Sequence, residues 1–191
     1  MAGTFQLADV VANTRGSKTA RLRTSSGRDV IYWTAKHGLR APFGPSCFDK
    51  SAPTTRMTLA CRPDDPTLLH IFEDLDSWAL RYIEEHAERL FNRPMTAEQV
   101  AAGYNPCVRR KPPYDAMLHA KLTTEGFNAI HCWDATGAER ELPSEWKHTL
   151  LQIRFHVSHL WIMGSDFGLA INATDMQVAS ESPERACPFL R

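Results

Sequence analysis

The chain has 191 residues, 43% of them hydrophobic, with 22 basic and 22 acidic side chains and so a formal net charge of zero. That composition fits one globular domain with a sizeable core and argues against a histone-like polycation. No apolar run approaches the ~20 residues that cross a bilayer, so no membrane partner is expected.

Residues 1–27 are rich in Ser, Thr, Arg and Gly with little periodicity, and read as a flexible basic arm with at most a short strand near Thr4–Leu7. The start lacks a signal-peptide layout. Five scattered cysteines, odd in number and without a C-x-x-C pair, read as free, mostly buried thiols. Both features point to an intracellular protein, in the nucleus, the cytoplasm or a virus particle.

Arg28–Ala35 reads as a strand, with Val30 and Tyr32 on one face and Ile31 and Trp33 on the other. It leads into a loop carrying Lys36, His37, Arg40, Phe43 and Phe48 around Pro42-Phe43-Gly44-Pro45. Cations for phosphates and rings for unpaired bases are what a single strand of nucleic acid requires. The Pro42-Phe43-Gly44 turn itself reads as architectural, with Phe43 buried. Thr54–Cys61 is a second strand, Met57 and Leu59 sharing a face.

Asp65–Phe91 is the clearest helix. Asp65 reads as its N-cap and Pro66 as its first residue, with Leu68, Phe72, Leu75, Ala79, Tyr82 or Ile83, His86 and Leu90 on one face. Acidic residues, including Asp74 and Asp76, fill the other face and read as solvated. Thr96–Ala102 reads as a short helix.

Tyr104–Tyr114 is a Pro-punctuated basic loop, in which Arg109-Arg110-Lys111 is the densest cationic run. Met117–Thr123 alternates strictly, Leu118, Ala120 and Leu122 inward, His119 and Lys121 outward. Phe127–Trp133 reads as the next strand, joined to it as a hairpin through Glu125-Gly126. His148–Ile162 and Leu169–Ala179 are apolar strands around a turn at Gly164–Gly168, and 180–191 is a short polar tail.

Charge is segregated. Residues 1–50 hold eight Lys/Arg against three Asp, whereas 64–91 hold eight Asp/Glu against two Arg. A neutral chain with a basic face still attracts phosphates. The fold class expected is mainly β, an OB-like Greek-key barrel of about five or six strands with one long amphipathic helix inserted, α+β overall, over residues 28–179. Candidate nucleic-acid contacts are Trp33, Lys36, Arg40, Arg109, Arg110, Lys111, Tyr114 and Lys121. Trp161 is weighed as a stacking ring and placed in the core.

His156 and His159, three apart on a strand, are expected on opposite faces, and no histidine or cysteine pair has ligand spacing, so no metal or cofactor is expected. No G-x-S-x-G, phosphate loop or dinucleotide fingerprint is present, and no enzymatic activity is expected.

An ordered set of short blocks adds a resemblance. These are Thr34, Lys36 and Pro42-Phe43-Gly44; Met57-Thr58-Leu59; Leu75-Asp76; Tyr104-Asn105-Pro106-Cys107-Val108-Arg109; Tyr114 and Lys121; Leu160-Trp161-Ile162; and Asp166-Phe167-Gly168-Leu169. They resemble a family of single-stranded DNA-binding proteins of large eukaryotic DNA viruses and algal hosts, distantly like the replication single-stranded DNA-binding proteins of tailed phages. The resemblance implies an OB-type barrel that binds single strands with little sequence preference in replication, recombination or repair, and that catalyses nothing. The phage proteins end in an acidic tail with a terminal aromatic that recruits replication partners. This chain has Phe189 but only Glu181 and Glu184 before it, with Arg185 and Arg191 interrupting, which puts such recruitment in doubt. DNA is favoured over RNA as partner, and self-association stays open. The alternatives are a virus-derived structural or scaffold protein and an RNA-binding module on the same barrel.

Overall fold

A computed structural model describes residues 5–13, 16–33, 38–47, 55–147 and 149–180, without the side chains of 33, 179 and 180. Twelve strands and three helices follow one another among these residues. The strands are β1 Phe5–Ala12, β2 Lys18–Thr24, β3 Val30–Trp33, β4 Leu39–Arg40, β5 Pro45–Ser46 and β6 Arg56–Pro63. Helices α1 Thr67–Glu85, α2 Ala87–Phe91 and α3 Ala97–Gly103 come next. Then follow β7 Tyr104–Asn105, β8 Val108–Arg109, β9 Met117–Thr123, β10 His131–Trp133, β11 Leu150–Met163 and β12 Asp166–Ser180.

The long hairpin β11–β12 is the spine. Its turn is Gly164-Ser165 alone, with Met163 opposite Asp166 and Gly164 at φ 65°, as the first central residue of a tight hairpin turn requires. The turn is thus two residues, not the five expected, and Phe167 and Gly168 belong to β12. Pairings run from β11 to β4, β6, β9 and β12, and β12 returns to β11. The sheet is mixed, since β7, β9 and β10 each pair with β12 in parallel.

Several elements depart from the sequence reading. Residues 5–12 and 18–24, expected in a flexible arm, form an antiparallel pair, and β2 adds to β11. Leu7, Ala20 and Leu22 face the core and Phe5 and Val10 pack against it, which docks the pair on the sheet. The strand over 127–133 shrinks to β10, which pairs with β12 and not with β9. Ala129 N–H donates to Gly126 O and Ile130 N–H to Thr123 O, so a turn consumes those residues and Phe127 is fully exposed. The strand count exceeds five or six because two-residue strands such as β4, β5, β7 and β8 leave no periodic signal.

Helix α1 buries Leu68, Phe72, Leu75, Ala79 and Ile83 as its spacing predicts. Asp65 Oδ1 accepts from Thr67 N–H at 2.8 Å, although Pro66 occupies the cap position. The helix breaks at His86, whose backbone leaves the helical region, and resumes as α2. Helix α3 starts on a full capping box: Thr96 Oγ1 accepts from Gln99 N–H, and Gln99 Oε1 accepts from Thr96 N–H. Phe72 joins helix to sheet, meeting Phe155 and Tyr32 edge-on at 5.9 and 5.2 Å. Phe91 meets Phe167 at 4.9 Å, and Phe5 meets Trp78 at 5.2 Å.

Asp76 corrects the solvated acidic face: it is 7% exposed. Its carboxylate accepts from Tyr104 O–H at 2.7 Å, Cys107 N–H at 2.9 and 3.0 Å, and Val108 N–H at 3.3 Å. A buried carboxylate is tolerated because it meets donors that otherwise lack partners. Burial, with Asp76 and Cys107 adding, pushes the Tyr104 hydroxyl well above its usual pKa. Asp76→Ala strands a hydroxyl and two backbone donors. It is expected to cost about 3 kcal/mol or more, read as a lower urea midpoint at unchanged slope. A loss under about 1 kcal/mol would show that those donors find other partners.

Candidate nucleic-acid interface

Alternation along β9 sends Leu118, Ala120 and Leu122 into the core and leaves Met117, His119 and Lys121 on the outward face. The register carries that face across the sheet in one row. Ser46 lies opposite Thr58, Thr58 opposite Lys121, Lys121 opposite Asn172, Asn172 opposite His156, and His156 opposite Ile31. At about 4.8 Å per strand, five steps span roughly 24 Å.

The row is flanked by cations. Arg56, two residues from Thr58 on β6, is exposed and close enough to act electrostatically on Lys121. Arg109 on β8 lies opposite Met117 and acts on His119. Arg21 on β2 lies opposite His159. Arg56, Arg109, Lys111 and Lys121 form no ion pair with any described acid, so their charge is uncompensated locally.

His156 and His159 do not point to opposite faces. Between Val157 and His159 the β11–β12 register shifts, placing a bulge at Ser158. The bulge advances the alternation by one residue, so Val157 and Leu160 are buried while both histidines look outward. Asn172 Nδ2 donates to Ser158 Oγ at 2.8 Å, and Ser158 Oγ and His159 Nδ1 share a hydrogen bond at 2.8 Å. Burial, then the charges of Lys121 and His156, lower the His159 pKa to about 4. Burial also lowers His156, with Arg21 and Arg154 adding and Asp29 opposing. It lowers His119, with Arg109 adding. Lys121 has an exposed side chain, yet partial burial of its ammonium lowers its pKa, and Arg56 adds to the fall.

Rings flank the row. Trp161, expected in the core, is half-buried on the outward face of β11, opposite Gly168. A Cβ at Gly168 would stand 2.6 Å from Asn105 O and 3.3 Å from Trp161 Cζ2, so glycine lets β7 and the indole approach β12 together. Phe43, expected in the core, is 72% exposed, because Gly44 N–H closes a turn onto Ala41 O and lifts the side chain clear. Tyr114 is 63% exposed at the end of the turn that begins at Lys111.

The predicted residues are only partly gathered. Lys121 and Arg109 share the face. Arg110 does not: its guanidinium turns back to Glu73 on α1, its Nε 3.1 Å from Oε1. The pair lowers the Glu73 pKa, chiefly through that hydrogen bond. Strand alternation thus splits the Arg109-Arg110-Lys111 run. Arg40 stands 3.6 Å from Asp64, and the neighbouring Arg62 is 3.0 Å from Asp115, so that end of the sheet carries compensated charge. Lys36, Phe48 and the Trp33 side chain lie outside the described residues. Sequence reasoning missed Arg21, Arg56, His156 and His159. For Arg56 the alternation with Thr58 was the available signal. Among the described residues, no group of three or more His, Cys, Asp or Glu is placed to hold a metal ion.

Fold and face together define a mainly β protein with a basic, ring-bearing outward surface and a helix packed on the core. No protein-family model and no curated protein matches the chain. Among solved structures it is similar to gp2.5, a single-stranded DNA-binding protein encoded by bacteriophage T7, at TM-score 0.45 and 11% identity over 84% of this chain and 97% of that one. It is also similar to the single-stranded DNA-binding protein of bacteriophage Enc34, at TM-score 0.44 and 9% identity over 97% and 96%. The complex of the Enc34 protein with single-stranded DNA gives 0.41 and 9% over 93% of each chain. None reaches a TM-score of 0.5, so the functional reading rests on the chain's own geometry.

The depressed His159 predicts a pH dependence. The unfolded imidazole takes up a proton near 6.5, the folded one only near 4. Protons therefore favour the unfolded chain, and stability falls as pH drops from about 6.5 towards 4. His159→Gln is expected to flatten the thermal-midpoint profile across that window relative to wild type. An unchanged profile would contradict the neutral buried imidazole.

Proposed function

We propose that this chain is a non-enzymatic, sequence-nonspecific single-stranded DNA-binding protein serving replication, recombination or repair inside the cell. Its fold in this reading is an OB-like Greek-key barrel with the helix inserted after β6, and the ring of pairings through β11, β4, β6, β9 and β12 supports that assignment.

The observation that carries the reading is the cross-sheet row at Lys121, with Arg56 and Arg109 beside it and no described acid paired to any of the three. Uncompensated cations on a β face attract phosphates by releasing condensed counterions. The half-buried Trp161, on the same outward face opposite Gly168, offers a ring that only an unpaired base can reach, since a duplex hides its base faces. The Asn172 and Ser158 hydrogen-bonding groups are partnered within the protein and give no base-reading pattern, which suits binding without sequence preference. Cys61 and Cys107 suit no nucleophilic role, because burial pushes both pKa values up.

Labelled oligo-dT, oligo-U and the matching duplex DNA, titrated across a salt series, separate the alternatives. The expected result is salt-sensitive binding to oligo-dT that exceeds binding to the duplex and to oligo-U. No binding to oligo-dT at low salt would end the reading, and equal or tighter binding to oligo-U would turn it towards RNA. Replacing Arg56, Arg109 and Lys121 together by alanine is expected to lower the log–log salt slope by about two, at about 0.7 per phosphate contact. Arg110→Ala, whose side chain is held by Glu73, is expected to leave the slope unchanged.

A further inference from the structure

A cavity of about 280 Å³ opens on the same outward face, where β10, β12 and β11 lie side by side. Trp133, Gln152, Arg154, Asp175 and Gln177 line it. Their convergence follows from register: Trp133 lies opposite Gln177, Gln177 opposite Gln152, and Arg154 opposite Asp175. Along β12 the cavity begins three residues beyond Asn172, at Asp175, which is about 10 Å from the basic row.

Its chemistry differs from that of the row. The one cation, Arg154, stands 3.1 Å from Asp175, so the cavity holds no excess charge with which to take a phosphate. Its other groups are an indole and two amides. Trp133 is half-buried, and His131 lies nearly parallel to it, with ring centroids 6.1 Å apart and planes 26° from each other. The Gln152 side chain makes no hydrogen bond with a described residue, so its amide offers both a donor and an acceptor. Gln177 Nε2 donates to Asp134 O at 3.0 Å, which fixes the amide and leaves Oε1 to accept. Asp134 Oδ1 in turn accepts from Thr136 N–H, Thr136 Oγ1 and Ala138 N–H at 2.6–2.9 Å, so the wall beside Trp133 is preorganised. Small-molecule sites run from about 300 to 1,000 Å³, so this volume suits one flat ring system and not a larger ligand.

We propose that this cavity is a nucleobase subsite, in which one unpaired base of the bound strand stacks on Trp133 and sets its edge against Gln152 and Gln177. The inference rests on the single-strand reading above and adds to it a fixed position for one base. A free rotatable amide at Gln152 meets the polar edge of any base, so the subsite adds affinity without sequence preference.

The test compares oligo-dT with an abasic strand of the same length, whose phosphates are the same, for the full chain and for Trp133→Ala, Trp133→Phe and Gln152→Ala. Wild type is expected to prefer oligo-dT. Trp133→Ala is expected to weaken oligo-dT binding by about 5- to 100-fold, the range one stacked base contributes, with an unchanged salt slope and unchanged abasic binding. Trp133→Phe keeps a ring and is expected to retain most of the affinity. Gln152→Ala removes a side chain with no internal partner, so a smaller, thymine-dependent loss on a fully folded protein is expected. Equal losses on both strands would make Trp133 a structural residue and overturn the subsite, as would wild-type affinity in Trp133→Ala and Gln152→Ala. Wild type that binds oligo-dT no better than the abasic strand overturns the subsite while leaving phosphate binding intact. Wild type that binds neither removes the single-strand reading and the subsite with it.

Discussion

Strand β11 has two edges and more partners than edges, and the architecture follows from how they are shared. One edge carries β12 along nearly its whole length. The other is divided in succession among β4 at Leu150–Leu151, β3 at Arg154–Val157 and β2 at His159–Ile162. A straight, evenly paired strand serves one neighbour per edge. Here the register with β12 shifts at three places, and the shift between Val157 and His159 coincides with the change of partner from β3 to β2. The extra residue at each irregularity, at 179 and 174 on β12 and at Ser158 on β11, bends and twists the hairpin, which lets short segments dock one after another. The bulge at Ser158 does a second thing. By turning both His156 and His159 outward it extends the polar outward face from β9 across β12 and β11 to Arg21 on β2.

Helix α1 is fastened to this sheet by unlike means at two points. Phe72 wedges between Tyr32 and Phe155 by ring packing. One turn along the helix, Asp76 gathers a hydroxyl and two backbone N–H groups from the β7–β8 segment. The second contact carries function as well as stability, because Cys107 and Val108 immediately precede Arg109. Their backbone is held from the core side, and Arg109 faces out on a fixed strand. Arg110 then returns to Glu73 on the same helix, so the basic run straddles the sheet edge rather than lying on one surface. The acidic helix that a charge map sets against a basic face is therefore partly a set of anchors for that face.

Much of this was legible where a pattern is local. The strict alternation of β9 placed Lys121 and His119 outward, and the 3.6-residue period of α1 placed its buried face. Long-range features were not legible. Asp76 reads as one more acid on a polar face, because its donors lie some thirty residues away in the chain. The two histidines separate under simple alternation, and nothing in F-H-V-S-H-L announces a bulge. Strands β1 and β2 show no strict alternation of apolar and polar residues, and their pairing with each other and of β2 with the edge of β11 is what makes them strands. Arg109-Arg110-Lys111 was the most visible cationic signal and delivers less than its density promised. Arg21 joins the face through the pairing of β2 with β11, which no spacing encodes.

The central claim is that a single strand lies on the outward face of β9, β12 and β11. Amide hydrogen exchange of the full chain with and without oligo-dT tests it most directly. The account predicts added protection over residues 117–123, 152–161 and 172–177, at the register row through Lys121, Asn172 and His156. Protection confined to helix α1 at Thr67–Glu85, with those three segments unchanged, would contradict it.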